Sequence, residues 1–374
     1  MSITIKEVSN KKEMNAFLDL PYRLYKGNPY FVPPLRFDEA HTLDKKKNPA
    51  FEHCDAKFWI ALKDGRVVGR IAGIINNNYI SKWKNKYARF GWIDFEEDEA
   101  IAKALLNTAE DWAKQNGMTA IQGPLGFTDL DHEGLLVDGF DQVATLATLY
   151  THPYYKTFIE NNGYTKDADW VEYNIKMPKT LPENLTKIAS IVERRYGLQV
   201  VKAKKPKDIL PYAKDVFNLI NDAYSDLFGV TELTEKQIEY YTKAYFGFMK
   251  VDFVSLIVDK NNQLVAFGIT MPSLSEALQK SGGSLFPFGF IHILKAMSKP
   301  KKADFLMIAI KKDLQGKGIN AVLMREIGNA YIKRGIESIE TNHELELNTK
   351  VQTIWKDFDH VQHKRRRCYI KHLS

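Results

Sequence analysis

A chain of 374 residues exceeds the roughly 250–300 residues at which one hydrophobic core usually stays single, so two domains are expected. With 44% hydrophobic and 26% charged residues it is an ordinary globular chain, and no run approaches the roughly 20 apolar residues that span a bilayer. The net charge of +7 suits a nucleic acid, an anionic lipid or a polyanionic small molecule, while Cys54 and Cys368, in no Cys-x-x-Cys pair, indicate neither a metal site nor a disulfide framework. The first residues lack the basic and then apolar pattern of a secretory signal, and a cytoplasmic location is expected.

In chain order, Ile3 to Val8 alternates as a strand, and Met14, Phe17 and Leu18 mark a helix. Asn28 to Leu35, with Pro29, Pro33 and Pro34, reads as an irregular wrap. Asp64-Gly65 between two apolar runs signals a hairpin of strands Phe58–Leu62 and Val67–Ile75. A strand over Tyr87–Phe95, a helix through Ala100 and Trp112, and a strand from Ala120 to Gln122 follow. The junction before that helix, Asp94 to Glu99, is acidic, lacks glycine and would repel a phosphate. Trp170 to Ile175 reads as a closing strand, with a proline-marked boundary at Met177 to Pro182. The expected domains are residues 1–178 and 179–374.

The second half repeats the plan. A strand is expected over Leu198–Ala203, then two helices, and a hairpin of Phe253–Val258 with Leu264–Thr270. After an insertion, Phe305 to Ile310 has the length and branching of a buried strand, and Ile319, Val322, Leu323, Ile327 and Tyr331 keep helical spacing. Between them lies Gln315-Gly316-Lys317-Gly318-Ile319-Asn320. Glycines let such a turn adopt conformations closed to other residues, and the first helical amides stay unpaired at the positive end of the dipole. A turn of this kind binds anions, phosphates above all, and Lys317 adds a mobile charge. No Gly-Lys-Ser/Thr follows a matching glycine, which excludes the phosphate loop of nucleotide enzymes. A strand over Ser338–Asn342, a helix over Asn348–Phe358 and a basic strand over His363–His372 end the chain.

The stretch Ile308 to Ile319 resembles the acetyl-coenzyme A signature of the GNAT acyltransferases, "V-x-P-x-x-[RQ]-x-x-G-x-[GA]", with Gln315 and Gly318 at matching places, Asn320 where the family has Gly or Ala, and Lys312 where it often has Pro. Tyr154 to Tyr164 is similar to the "F-Y-E-K-x-G-F" end of that fold's last helix, with Ile159 at the place of the usual tyrosine. The order of elements in each half resembles a tandem GNAT chain. The resemblance implies an α/β fold with a mixed sheet in each of two domains. It also implies acetyl-CoA or another acyl-CoA as co-substrate, held by Ile308, Ala309, Ile310, Gln315, Gly316, Lys317, Gly318, Ile319, Asn320 and Asn348. The acidic junction leaves the first half as a scaffold without cofactor.

The implied reaction is acyl transfer to an amine, which a base assists; Asp304, Glu340, His343 and Glu344 are the candidates. Trp355 stands where the family's tyrosine acid would be, and tryptophan cannot protonate a leaving thiolate. The insertion Gly282–Met297 is apolar for a loop and sits where the fold implies the acceptor groove, with Phe288 and Phe290 as its lining. It reads either as a core-packed lid or as a channel or membrane-touching edge for a lipid-like amine. Lys364-Arg365-Arg366-Arg367 alternates on a strand, so only some of these side chains share a face. A small-molecule or lipid-like amine is the expected acceptor, a coenzyme A-binding module without turnover is the rival, and no zinc or RNA-binding signature supports a nucleic-acid partner.

Overall fold

The computed structural model describes residues 2–374, whose contacts define two compact units. One consists of the chain up to Val171 together with Ser275–Ile293 and His363–Ser374; the other consists of Glu172–Leu274 and Leu294–Gln362.

Up to the first unit boundary the chain forms β1 (Ile3–Glu7), α1 (Lys11–Leu24), α2 (Arg36–Thr42), β2 (Cys54–Lys63), β3 (Arg66–Asn76), α3 (Asn77–Trp83), β4 (Tyr87–Phe95), α4 (Glu99–Gln115), β5 (Ala120–Gly123), β6 (Leu135–Asp138), α5 (Tyr154–Asn161) and β7 (Thr165–Lys176), the last of which crosses into the second unit. Local chemistry sets the ends of these elements. The Asn10 side chain accepts from the Glu13 amide to start α1, and Asp98 does the same for Ala100 at the head of α4. Asp64 and Gly65, both at positive φ, turn β2 into β3. The face of α4 bearing Ile101, Leu105, Ala109 and Trp112 is buried.

Beyond β7 come α6 (Glu183–Tyr196), β8 (Gln199–Val200), α7 (Pro206–Ile209), α8 (Ala213–Ala223), α9 (Glu235–Tyr245), β9 (Val254–Val258), β10 (Leu264–Pro272), α10 (Ser275–Ser281), α11 (Gly289–Ser298), β11 (Lys302–Ile310), α12 (Ile319–Arg334), β12 (Ser338–Thr341), β13 (Glu344–Leu345), α13 (Thr349–Gln352) and β14 (Asp359–His372). Helix α6 is absent from the sequence expectation. It follows Pro182, buries Leu185, Ala189 and Val192, and stops at Gly197 with φ +61°. The strand expected over residues 198–203 shrinks to β8. The helix expected over 348–358 is α13 followed by a tight turn, Thr353–Asp357, that seats Trp355 in the core. The insertion expected over Gly282–Met297 is not a loop throughout: α10 ends just before it, and from Gly289 onward it is the helix α11.

Strand pairing departs from the simple repeat. In the first unit the order is β1-β2-β3-β4-β5-β14, and in the second β7-β12-β11-β10-β9-β8. The C-terminal strand β14 pairs antiparallel with β5, Tyr369 opposite Gly123, while β7 pairs antiparallel with β12, Ile175 opposite Ile339. Each half's final strand therefore closes the other half's sheet. Cutting the chain after residue 178 would leave both sheets one strand short. The second unit's core gathers around α6 and α12, with Leu185, Val192, Val322, Ile327 and Tyr331 packed against sheet residues such as Ile257 and Phe305.

Candidate active site

In the second unit, β11 and β12 run parallel from Lys302 opposite Ser338 to Phe305 opposite Thr341, where their pairing ends. Beyond that point β11 stays with β10 as far as Ile310 opposite Ala266, with a register shift that leaves Leu306 as an extra residue. The Asn342 amide donates to the Phe305 carbonyl at 2.8 Å, and its side chain reaches the Leu306 carbonyl at 3.3 Å. The strands thus splay into a notch, and Leu306, Met307, Ile308 and Ile310 are half-buried along the departing half of β11. The Tyr224 hydroxyl at the end of α8 donates to the Ile308 carbonyl at 2.9 Å, a contact that sequence reasoning missed.

The turn after β11 has the expected geometry. Gly316 and Gly318 lie at φ +74° and +81°, and Gly318 is the N-cap of α12 with no side chain capping the helix. Gln315 ties the turn to the strand by donating to the Ile310 carbonyl at 3.2 Å. Lys317 is exposed, its ammonium 5.9 Å from the centre of the Tyr196 ring. A Cβ on Gly318 would lie 3.1 Å from Val192 of α6, so the unforeseen helix forms the wall of the turn. Lys312 is occupied at the surface by Asp226, at 2.7 Å. Ile319 is buried in the core, and Asn348 stands at the head of α13 without making a side-chain cap.

The candidate bases separate by environment. Asp304 is 2% exposed; it lies near Tyr331 of α12, whose hydroxyl is pushed up first by burial, with the Asp304 charge adding to it and a Thr270 contact opposing. Glu340 accepts from Asn174 at 3.2 Å, and the His343 ring lies 3.0 Å from the Asn342 side chain. Glu344 accepts from the Trp355 indole at 2.8 Å through one oxygen, while the other is buried without a hydrogen-bond partner. Burial pushes the Glu344 carboxyl up to about 8, against the lowering effect of the indole N–H. Trp355, fully buried and edge-on to Phe305 at 5.1 Å, anchors that carboxylate instead of supplying an acid.

The first unit carries a polar cluster that sequence reasoning missed. Strands β4 and β5 pair in parallel only from Tyr87 to Arg89. Beyond them Trp92 sits in a register shift of β4 at φ +45°, held by its indole donating to Glu39 at 2.8 Å. The other Glu39 oxygen is 3.6 Å from His132, whose second nitrogen faces the Ala147 carbonyl at 3.1 Å. Burial alone would lower the His132 pKa, but Glu39 holds it above the usual value. Burial lifts Asp131 to about 6 and Glu133 to about 7. Arg70 and Asp94 form a buried pair at 2.7 Å, and Asp94 also accepts from Tyr25 at 3.1 Å. Tyr25, Phe31, Arg70, Trp92, His132 and Glu133 line a small cavity between these groups. No motif in the sequence joins Glu39, Trp92 and His132, which stand in three separate segments.

The far end of β4 is closed. The Tyr154 hydroxyl donates to the Phe95 carbonyl at 2.8 Å, the Phe95 amide donates to the Tyr155 hydroxyl at 2.9 Å, and the Tyr155 ring stacks on Phe95 at 4.2 Å. In the acidic junction Glu96 is bridged by Arg66 through two 2.7 Å bonds, and Asp98 caps α4. The basic run on β14 is spent within the first unit as well. Arg365 and Arg367 pair with Asp169 at 3.0 and 2.8 Å, while Lys364 and Arg366 are buried. Among the described residues no group of His, Cys, Asp or Glu is arranged to hold a metal ion, and no helix is long and apolar enough to cross a membrane.

A strand splayed from its parallel neighbour, followed by a glycine turn and an uncapped helix, on a chain that repeats the strand-then-helix plan in both halves, gives this chain the fold of tandem GNAT proteins. Residues 21–123 match the model of the acetyltransferase (GNAT) family, a match that falls in the first half. The fold is similar to a tandem GNAT protein from the clavulanic acid biosynthesis pathway, with a TM-score of 0.58 at 12% identity, covering 100% of this chain and 99% of that one. In sequence the chain is 27% identical over 383 residues to the bacterial ceramide synthase of Caulobacter vibrioides, covering 99% of this chain and 98% of the relative. It is 26% identical over 377 residues to protein YghO of Escherichia coli, covering 99% and 95%.

Proposed function

We propose that the protein transfers an acyl group from acyl-coenzyme A to the amine of a long-chain, lipid-like acceptor, with the cofactor held by the second unit. The uncapped N-terminus of α12 carries this reading. Its free amides, the two left-handed glycines and Lys317 fit a pyrophosphate, and the half of β11 that has parted from β12 and pairs with β10 alone, Ile308 to Ile310, fits an extended chain along its other edge. Bound there, the cofactor supplies an activated thioester carbonyl. The residues of this chain have the task of orienting the amine and taking its proton. Glu344 has the right properties, because a carboxyl raised to about 8 accepts a proton from an ammonium without stabilising the charged acceptor too strongly. The relative named a ceramide synthase supports the lipid-like acceptor.

The test follows free thiol release from acetyl- and palmitoyl-coenzyme A against amines from short polyamines to long-chain amino-alcohols. The expected result is turnover with long-chain amines. Turnover with short, water-soluble amines alone overturns the acceptor class. Binding of coenzyme A without thiol release from any pair overturns transfer and leaves a binding module.

The match of the family model to residues 21–123 favours a second reading, in which the first unit itself engages a ligand at the Trp92–Glu39–His132 cavity. His132→Asn and Gly318→Glu separate the two. If the first unit does the chemistry, the His132 variant loses kcat while coenzyme A affinity is kept; if it is a scaffold, only the glycine variant loses turnover.

A further inference from the structure

The apolar insertion presents large side chains to solvent, which acyl transfer alone does not explain. Phe286 is 78% exposed, Phe288 68% and Leu294 61%, and Phe290 and Ile291 are exposed beside them. The segment is built to hold them outward. The Gly283 carbonyl accepts from the Arg36 amide at 3.1 Å, and Gln279 donates to the carbonyls of Pro29 and Phe31 at 2.8 and 3.1 Å. The Ser284 hydroxyl fixes the Phe286 carbonyl at 2.8 Å, and the Phe290 amide closes on Leu285 at 2.9 Å. At Gly289 any Cβ would lie 1.7 Å from the Ser284 carbonyl oxygen, so the tight start of α11 depends on glycine. On α11, Phe290, Ile291 and Leu294 form one stripe, with the exposed Lys295 beside it and the exposed Lys299 just past its end. Between Glu276 and Asp304 the chain has Lys280, Lys295, Lys299, Lys301 and Lys302 and no acidic residue.

We infer that this segment docks the protein on an anionic lipid bilayer, with Phe286 and Phe288 entering the headgroup and acyl boundary and the lysines meeting the lipid phosphates. A groove for one free lipid would shelter its lining, whereas side chains exposed by more than half protrude. A second copy facing this patch by two-fold symmetry would set lysines against lysines. A bilayer accepts protruding rings and supplies the opposite charge, and long lysine stems let the ammonium groups reach the surface while their methylenes cover apolar area. Among the described residues no helix is long and apolar enough to cross a membrane, and the contact proposed is an interfacial one. This inference does not depend on the transfer reaction, although a lipid acceptor would be met at such a surface.

Flotation of the full chain with vesicles of phosphatidylcholine alone, and of phosphatidylcholine mixed with phosphatidylglycerol, tests it. Binding is expected to the mixed vesicles and to weaken as salt is raised. The Phe286→Ser/Phe288→Ser variant should lose about tenfold or more in partitioning, with its melting temperature unchanged because both rings are exposed. Lys295→Glu/Lys299→Glu should lose the preference for phosphatidylglycerol. Gly318→Glu, which strikes the cofactor turn, should float like wild type, so failure of the cofactor reading leaves this one standing. Wild-type protein that stays off both vesicle types overturns the proposal, as does a serine variant that floats equally well. A dimer in sedimentation that the serine variant abolishes, without vesicle binding, assigns the patch to a second copy and overturns it too.

Discussion

The two units each place a helix after a splayed central strand, and the two junctions are made in opposite ways. At α4 the side chain of Asp98 accepts from the Ala100 amide, Lys63 neutralises that carboxylate at 2.8 Å, and Glu96 adds a second acid. At α12 the cap is Gly318, no side chain satisfies the first amides, and Lys317 adds positive charge. The strands leading to them differ likewise. The end of β4 is sealed by Tyr154 and Tyr155 on both polar groups of Phe95, whereas β11 runs past β12 with no further strand on that side, and the side chains of Asn342, Tyr224 and Gln315 meet its Leu306, Ile308 and Ile310 carbonyls. The same topology is therefore self-satisfied in one unit, while in the other no side chain caps the helix amides, the condition that the proposed cofactor site requires. A helix N-terminus is an anion site only when the chain declines to fill it.

The largest expected effect tests how firmly the first unit is sealed. Asp94→Ala removes the partner of the buried Arg70 and an acceptor for Tyr25, and leaving that guanidinium unpaired should cost about 3–5 kcal/mol in chemical denaturation. A loss below about 1 kcal/mol would show that Arg70 finds water and that the seal is loose.

Gly318→Glu breaks the other side of the comparison, putting a carboxylate and a strained φ where the open turn needs neither. Coenzyme A affinity should fall about 100-fold or more, roughly 2.7 kcal/mol, and thermal protection by the ligand should vanish. Unchanged affinity in calorimetry would remove the turn from the cofactor site.

Glu344→Gln sharpens the contrast through pH. The folded carboxyl titrates near 8 rather than 4.5, so the folded state retains a proton that the unfolded chain releases. Wild-type stability should therefore fall as pH rises from about 4.5 to about 8, by a few kcal/mol at most, and the glutamine variant should lack that slope. If Glu344 is the base, the variant also loses the rise of kcat/KM through about pH 8. A stability slope without a change in the rate profile would leave Glu344 a structural acid.

The smallest effect comes from Asp98→Ala, which uncaps α4 at a cost of about 0.5–2 kcal/mol. Coenzyme A should still bind at one equivalent per chain in wild type and variant, because Glu96, Tyr154 and Tyr155 keep the junction closed. A second equivalent in either protein would refute the self-satisfied reading of the first unit.

Much of this contrast was legible from residue types. Acids without glycine at 94–99 and Gln-Gly-Lys-Gly at 315–318 already separate the junctions, because both signals are local. The Trp92–Glu39–His132 cluster was not legible, since its members lie in three separate segments and only folding brings a residue of helix α2, a strained strand residue and a loop residue together. Helix α6 left readable marks, Pro182 before it, Gly197 after it and buried residues at helical spacing between, but a boundary reading of the prolines displaced them. Glu344 and Trp355 were both singled out, yet their pairing, which converts an expected acid position into an anchor for a carboxylate, depends on a tight turn that the helical pattern did not announce.

By itself the sequence determined most of the strands, the helices α1, α4 and α12 and the charge of the two junctions, because periodicity, turn residues and helix caps act over a few residues. Only the tertiary structure decided which strand closes which sheet. The alternation in β7 and β14 specifies a strand but not its partner, and the register of β14 on β5 and of β7 on β12 comes from side-chain packing between residues more than a hundred positions apart. The exposure of Phe286 and Phe288 was decided in the same way. An apolar run reads alike whether it is buried or presented, and the hydrogen bonds that turn it outward join it to Arg36 and to the wrap at Pro29 and Phe31, far away in the chain.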